Sequence, residues 1–111
     1  MRPRRNDICL ADFPFSDSDA SKPRPVIILS ANHYNSNEPD VIVCGITTNS
    51  GHPCFLRLSE SDLEYGNLCE GSGCRSDFLA RIAQSSLRSK IGKIKEEFRI
   101  RLIAKILNLI R

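Results

Sequence analysis

A chain of 111 residues with 41% hydrophobic and 26% charged side chains has the balance of a globular domain with one modest core, and residues 1–111 are expected to form a single domain. No apolar run approaches the ~18 residues needed to span a bilayer, and Asn6-Asp7 follow Arg4-Arg5 where an export signal requires an apolar segment. A cytoplasmic protein without a membrane partner is therefore expected. The net charge of +3 conceals a division, since residues 6–80 sum to −7 while residues 81–111 sum to +7 and Arg2, Arg4 and Arg5 make the start basic. An acidic body excludes a broad duplex-binding face and suits a narrow site where one or two cations grip a single phosphate.

In chain order, Ile8 to Phe13 reads as a first strand stopped by Pro14. The polar stretch Ser16 to Lys22 is a loop that delivers the chain to Lys22-Pro23-Arg24-Pro25. Val26 to Leu29 is a β-branched apolar run, the composition of a strand buried on both faces, and the two prolines forbid a helix before it. They also hold Arg24 in extended geometry at the mouth of that strand, where a guanidinium can grip an anion or pair with a loop carboxylate. Ala31 to Pro39 is an Asn-rich connector, and Val41 to Thr48 is a third strand ending in the turn Asn49-Ser50-Gly51.

Cys54 to Leu58 reads as a short fourth strand forming a hairpin with the third. Ser59-x-x-Asp62 has the spacing to cap one helical turn, which Tyr65-Gly66 would end. Ser76 to Ala83 is a fifth strand, and Ser85 to Lys90 is expected to form one turn before Gly92. Ile94 to Ile110, free of glycine and proline and with Glu96 and Glu97 in its first turn, is the clearest helix. Its apolar arc, Ile94, Phe98, Leu102, Ile106, Leu109 and Ile110 with Ile103 and Leu107, is wider than one small core requires. The excess is either ordinary core or a face buried by a second subunit.

Five cysteines is an odd number. Cys9 and Cys44 fall inside strands, where a free thiol is a small buried hydrophobe. His52, Cys54, Cys69 and Cys74 are of zinc-ligand type, but their spacings fit structural zinc motifs loosely, and Cys69 and Cys74 are near enough for a local bridge. Reduced thiols and no metal are expected.

Four segments in register resemble the MazF/PemK family of bacterial toxin endoribonucleases. They are Asp7 to Asp17, Lys22 to Pro25 leading into its strand, Tyr34-Asn35 before the strand that ends Ile46-Thr47, and Lys90-Ile91-Gly92-Lys93-Ile94 leading into the last helix. The chain departs from the family pattern at Asp19-Ala20, in place of loop glycines, and at Arg81-Ile82-Ala83-Gln84. The resemblance implies an α+β, mainly β fold: a small SH3-like antiparallel barrel with a C-terminal helix packed against it. It also implies a homodimer, a cognate antitoxin, and metal-independent, sequence-specific cleavage of single-stranded RNA through the ribose 2′-hydroxyl, with no cofactor.

By the same resemblance, Arg24 and Thr47 take the catalytic positions. A fixed guanidinium and a hydroxyl aimed at one phosphate would stabilise the charge that builds on its oxygens in the transition state. Ser16, Ser18, Ser21, Lys22, Thr48 and Asn49 are candidates for backbone or ribose contacts, and Phe15 and Tyr34 for stacking a base. Histidine is the side-chain type best suited to proton transfer near neutral pH, but His33 and His52 fall outside the matching motifs. A gyrase-binding toxin of similar fold, or an inactive SH3-like binding module, are the competing expectations, and fold alone does not separate them.

Overall fold

The computed structural model describes residues 2–12 and 22–111. Seven strands run β1 (Asp7–Ala11), β2 (Arg24–Ile28), β3 (Asp40–Thr47), β4 (Phe55–Arg57), β5 (Leu63–Gly66), β6 (Gly73–Ala83) and β7 (Leu87–Ile94). A short helix α1 (Asn32–Asn37) precedes β3, and α2 (Glu96–Ile110) closes the chain. All seven strands join one antiparallel sheet in the order β4-β6-β3-β2-β1-β7-β5.

The connection from β6 to β7 dictates the shape of this sheet. Three strands separate them in the sheet, yet only Gln84–Ser86 joins them in sequence. So short a link forces the sheet to roll until its two flanks meet. Backbone bonds from Asp12 N to Ser86 O (2.8 Å) and from Gln84 N to Pro39 O (2.9 Å) tie the meeting point. The Gln84 side-chain amide adds bonds to the carbonyls of Asn35 (2.7 Å) and Glu38 (2.9 Å), which fixes α1 there. The roll is not a closed barrel, because β4 and β5 remain its two edges.

Strand alternation then separates two apolar layers. Cys9, Ala11, Val26, Ile28, Val41 and Val43 point into the roll and are fully buried. Ile8, Ile27, Cys44, Ile46, Cys74 and Ile94 point the other way, where Phe98, Leu102 and Ile106 of α2 cover them. Each of those helix side chains contributes roughly 2 kcal/mol by leaving water. Leu107, Leu109 and Ile110 stay exposed, so the apolar arc of α2 exceeds its contact with this core.

Several local expectations are corrected by non-local pairing. The strand around Phe55 does not form a hairpin with β3; it pairs with β6, which lies between them. Ser59 and Asp62 do cap a single 3-10 turn, but Tyr65 and Gly66 belong to β5, paired with β7. The turn expected from Ser85 to Lys90 is confined to Gln84–Ser86, and Leu87 onward is strand. Part of the Asn-rich connector is the helix α1.

Candidate active site

Arg24 opens β2 and Thr47 ends β3. The two strands pair with Val26 opposite Gly45, and that register, continued by two residues, sets Arg24 across from Thr47. Residues facing one another in an antiparallel ladder have Cα atoms about 5 Å apart and share a face. Both side chains therefore leave the face that lines the roll, at its rim. Arg24 also pairs with Ala11, the last residue of β1.

Burial and bonding suit these two groups to different tasks. Arg24 is half-buried, with its Nε shut off from solvent. Thr47 Oγ1 accepts the Asn49 backbone N–H at 3.1 Å. That bond uses an oxygen lone pair and leaves the hydroxyl proton for a partner outside. Lys22, exposed just ahead of β2, and Thr48 and Asn49, exposed just after β3, flank the pair. Phe15, Ser16, Ser18 and Ser21 lie outside the described residues, between Asp12 and Lys22.

Tyr34 is placed elsewhere. It sits on α1 at the Asp40 end of β3, seven residues and about 20 Å of strand from Thr47. The connector between β2 and β3 follows the far ends of both strands from the Arg24–Thr47 row, so local sequence order could not bring Tyr34 to it. His33 shares that helix.

The row itself extends through strands that the sequence reading did not link to the site. Thr47 pairs with Gly73 of β6, and Gly73 with Arg57 of β4. The Phe55 ring lies over Gly73, where an added Cβ would sit 2.3 Å from its Cζ, and Phe78 covers Gly45 in the same way, with Cδ1 at 3.0 Å. Two half-exposed aromatic rings thus rest on glycines beside Thr47. Arg57 is exposed, and no described carboxylate pairs with it. A cavity of about 340 Å³ opens beside β4, lined by residues that include Arg57, Glu60, Asn67 and Glu70. Neither Phe55 nor Arg57 carries a local signal, since their relation to Thr47 runs through a strand sixteen or more residues away in sequence.

Next to this row β6 bulges, so that residues 75–78 are accommodated opposite Gly45. Donors of His52, Cys54 and Asp77 gather there within 4.8 Å of one another. Their existing bonds compete with a metal. His52 Nδ1 accepts the Cys54 N–H at 3.0 Å, and Arg75 grips both Asp77 oxygens at 2.7 Å, which holds that carboxyl below its usual range. The set His52, Cys54, Cys69 and Cys74 is not assembled: Cys74 is buried beside Cys44 and Cys69 is exposed. All five cysteines are free thiols.

A rolled antiparallel sheet with a C-terminal helix, carrying a cation and an alcohol on neighbouring strand ends, is the architecture of a small toxin fold. Residues 4–110 match the family of PemK-like, MazF-like toxins of type II toxin-antitoxin systems, and the chain belongs to that family. Solved structures agree with it in fold. MazF in the MazE-MazF crystal structure (Form-III) from Deinococcus radiodurans superposes with a TM-score of 0.78 at 17% identity, covering 98% of this chain and 96% of that one. The Mycobacterium tuberculosis toxin MazF-mt6 gives 0.72 at 23% identity, with 92% and 93% covered. An endoribonuclease in complex with its cognate antitoxin, from a mycobacterial species, gives 0.69 at 19% identity, with 97% and 91% covered. No curated protein matches the chain by sequence.

Proposed function

We propose that this toxin is an endoribonuclease that cuts single-stranded RNA at specific sequences without a metal ion, and that Arg24 and Thr47 carry the reaction. The observation that supports this most is the β2–β3 register, by which the half-buried Arg24 stands across from the Thr47 hydroxyl, whose oxygen already accepts the Asn49 N–H. In the reaction the ribose 2′-hydroxyl gives its proton to solvent water as its oxygen bonds to the adjacent phosphorus, and the bond to the 5′-oxygen breaks as that oxygen takes up a proton from Arg24, which regains one from solvent. The products are a 2′,3′-cyclic phosphate and a 5′-hydroxyl end. Negative charge grows on the non-bridging oxygens, and two fixed donors there stabilise the transition state more than the ground state. Arg24 suits the role of proton donor to the leaving oxygen better than that of base, because a guanidinium offers N–H donors and no acceptor lone pair.

Lys22, Thr48 and Asn49 border the same rim and would contact flanking phosphates or riboses; Ser16, Ser18, Ser21 and Phe15 are proposed on sequence alone. Tyr34, on α1, is not carried into this site. A cognate antitoxin is expected to cover the rim, and a second copy of the chain to cover the exposed apolar residues of α2. Among the described residues, no helix is long and apolar enough to cross a membrane; action in the cytoplasm is part of the proposal.

The test is incubation of the antitoxin-free protein with single-stranded RNA in excess chelator, followed by chemical mapping of both new ends. Cyclic phosphate and 5′-hydroxyl termini at recurring sequences support the proposal. Intact RNA, or 5′-phosphate ends that vanish with chelator, would overturn it.

A further inference from the structure

The row that holds Arg24 and Thr47 does not stop at β3. Three interstrand steps carry it through Gly73 to Arg57, about 14 Å from Arg24 between Cα atoms. Along that line stand a half-buried guanidinium, a hydroxyl, an aromatic ring against a glycine, and a second guanidinium with no described carboxylate on it. By the pairing register, Phe55, Arg57 and Thr47 belong to the same face. Their spacing and order are those of a track for an extended polyanion with planar side groups: charge, ring, charge.

The glycine under the ring gives this order its physical reason. Any side chain at position 73 would collide with the Phe55 ring and with the Leu56 carbonyl, at 2.6 Å from an added Cβ. Glycine lets the ring settle against the sheet beside Thr47, where Phe55 keeps part of its surface exposed. A base stacked on such a ring gains affinity by about tenfold, and every base has a face to offer. Arg57 is the natural seat for the following phosphate. The neighbouring Arg75 is less available, since Asp77 already occupies its fork. Past Arg57 the cavity lining changes to Asn67, Glu60 and Glu70, groups that hydrogen-bond a base edge and repel a phosphate.

We propose that the edge strand β4 forms a nucleotide subsite continuous with the cleavage position, in which Phe55 stacks the base next to the cleaved phosphate and Arg57 holds the next phosphate along the strand. This rests on the endoribonuclease reading, and it names residues outside the pair assigned to the chemistry.

Binding of a fluorescent, 2′-O-methylated oligonucleotide carrying a mapped cleavage site tests it, with anisotropy read across a salt series. Phe55→Leu, which keeps an apolar cover on Gly73, should weaken binding about tenfold, and Phe55→Tyr should restore it. Arg57→Gln should reduce the slope of log affinity against log salt by about 0.7, the loss of one phosphate contact to a single strand. Arg81→Gln, at the Asp40 end of the sheet, should match the wild type in affinity and slope. Wild-type affinity and slope in both Phe55→Leu and Arg57→Gln, while the unaltered protein still cleaves RNA, would overturn the subsite and leave the endoribonuclease reading standing. A wild-type protein that neither binds nor cleaves would remove both.

Discussion

Arg99, in the first turn of α2, donates to Asn6 Oδ1 at 3.0 Å, and Asn6 itself sits in the left-handed region with φ of 77°. The same guanidinium reaches the Leu29 carbonyl at 2.9 Å, while Asn6 Nδ2 donates to Glu96 at 3.1 Å. Asn6 is thus the hinge on which β1, the end of β2 and the helix start are assembled. Asparagine is one of the few side chains that tolerates this φ. Asn6→Ala should cost about 2–3 kcal/mol, combining lost bonds with backbone strain. Asn6→Gly should be milder by about 1 kcal/mol, reversing the usual order of the two substitutions. Urea unfolding of both variants checks the inversion.

The left-handed glycines make a second comparison. Gly66 has φ of 110°, and a Cβ there would meet the Ile91 carbonyl at 2.4 Å; Gly71 has φ of 84° and nothing within 4 Å. Gly71→Ala should cost about 1 kcal/mol from backbone conformation alone. Gly66→Ala should cost at least twice that, because β5 must part from β7 to admit the methyl group. Equal losses in thermal or urea unfolding would mean that this close strand approach is relaxed in solution.

Burial in the roll, with Asp7 nearby, pushes the Cys9 thiol up to about 11 from an ordinary 9.0. Below pH 9 it is protonated in the folded and unfolded chains alike and does not tilt the balance. Above pH 9 the unfolded chain releases a proton that the folded chain keeps, so stability falls as the pH rises toward 11. Cys9→Ala should therefore show a shallower loss of stability between pH 9 and pH 11 than the unaltered protein. The thiol should also resist modification by a disulfide reagent at pH 8, where the exposed Cys69 reacts at once.

On α2, Ile100 is 61% exposed, Leu107 48% and Ile110 72%. Ile100, Leu107 and Ile110 lie on the side of the helix away from Phe98, Leu102 and Ile106, and Ile103, half-buried against the core, borders that seam. A homodimer that uses this seam should appear in light scattering at micromolar concentration. Leu107→Glu should shift it to monomer while leaving the fold intact, as judged by circular dichroism. A monomeric unaltered protein would reject the seam.

What the sequence made legible follows from the range of each interaction. The runs Val26 to Leu29 and Val41 to Thr48, and the glycine-free helix, are local patterns, and all three stand within about two residues of their expected bounds. That Arg24 opens one strand and Thr47 ends another was readable from the prolines before β2 and the turn after β3, while their proposed roles rest on the family resemblance. Phe55 and Arg57 were not, since β4 meets the row only through β6, and no residue near position 55 encodes that pairing. The strand β7 was hidden for a related reason: Leu87 to Lys90 alternates weakly and becomes strand through its pairing with β1. Tyr34 is a base-stacking candidate by sequence, whereas the connector that holds it joins the ends of β2 and β3 opposite to Arg24 and Thr47.

The most direct measurement is single-turnover cleavage of a mapped RNA by Arg24→Ala, Thr47→Val and the double variant, all in excess chelator. Each single change should lower the rate on the order of 10²-fold, and the double change should cost less than the product of the two, because both groups face one phosphate across the β2–β3 ladder. Wild-type rates in either single variant, or cleavage that chelator abolishes, would contradict a site built from these two strand ends.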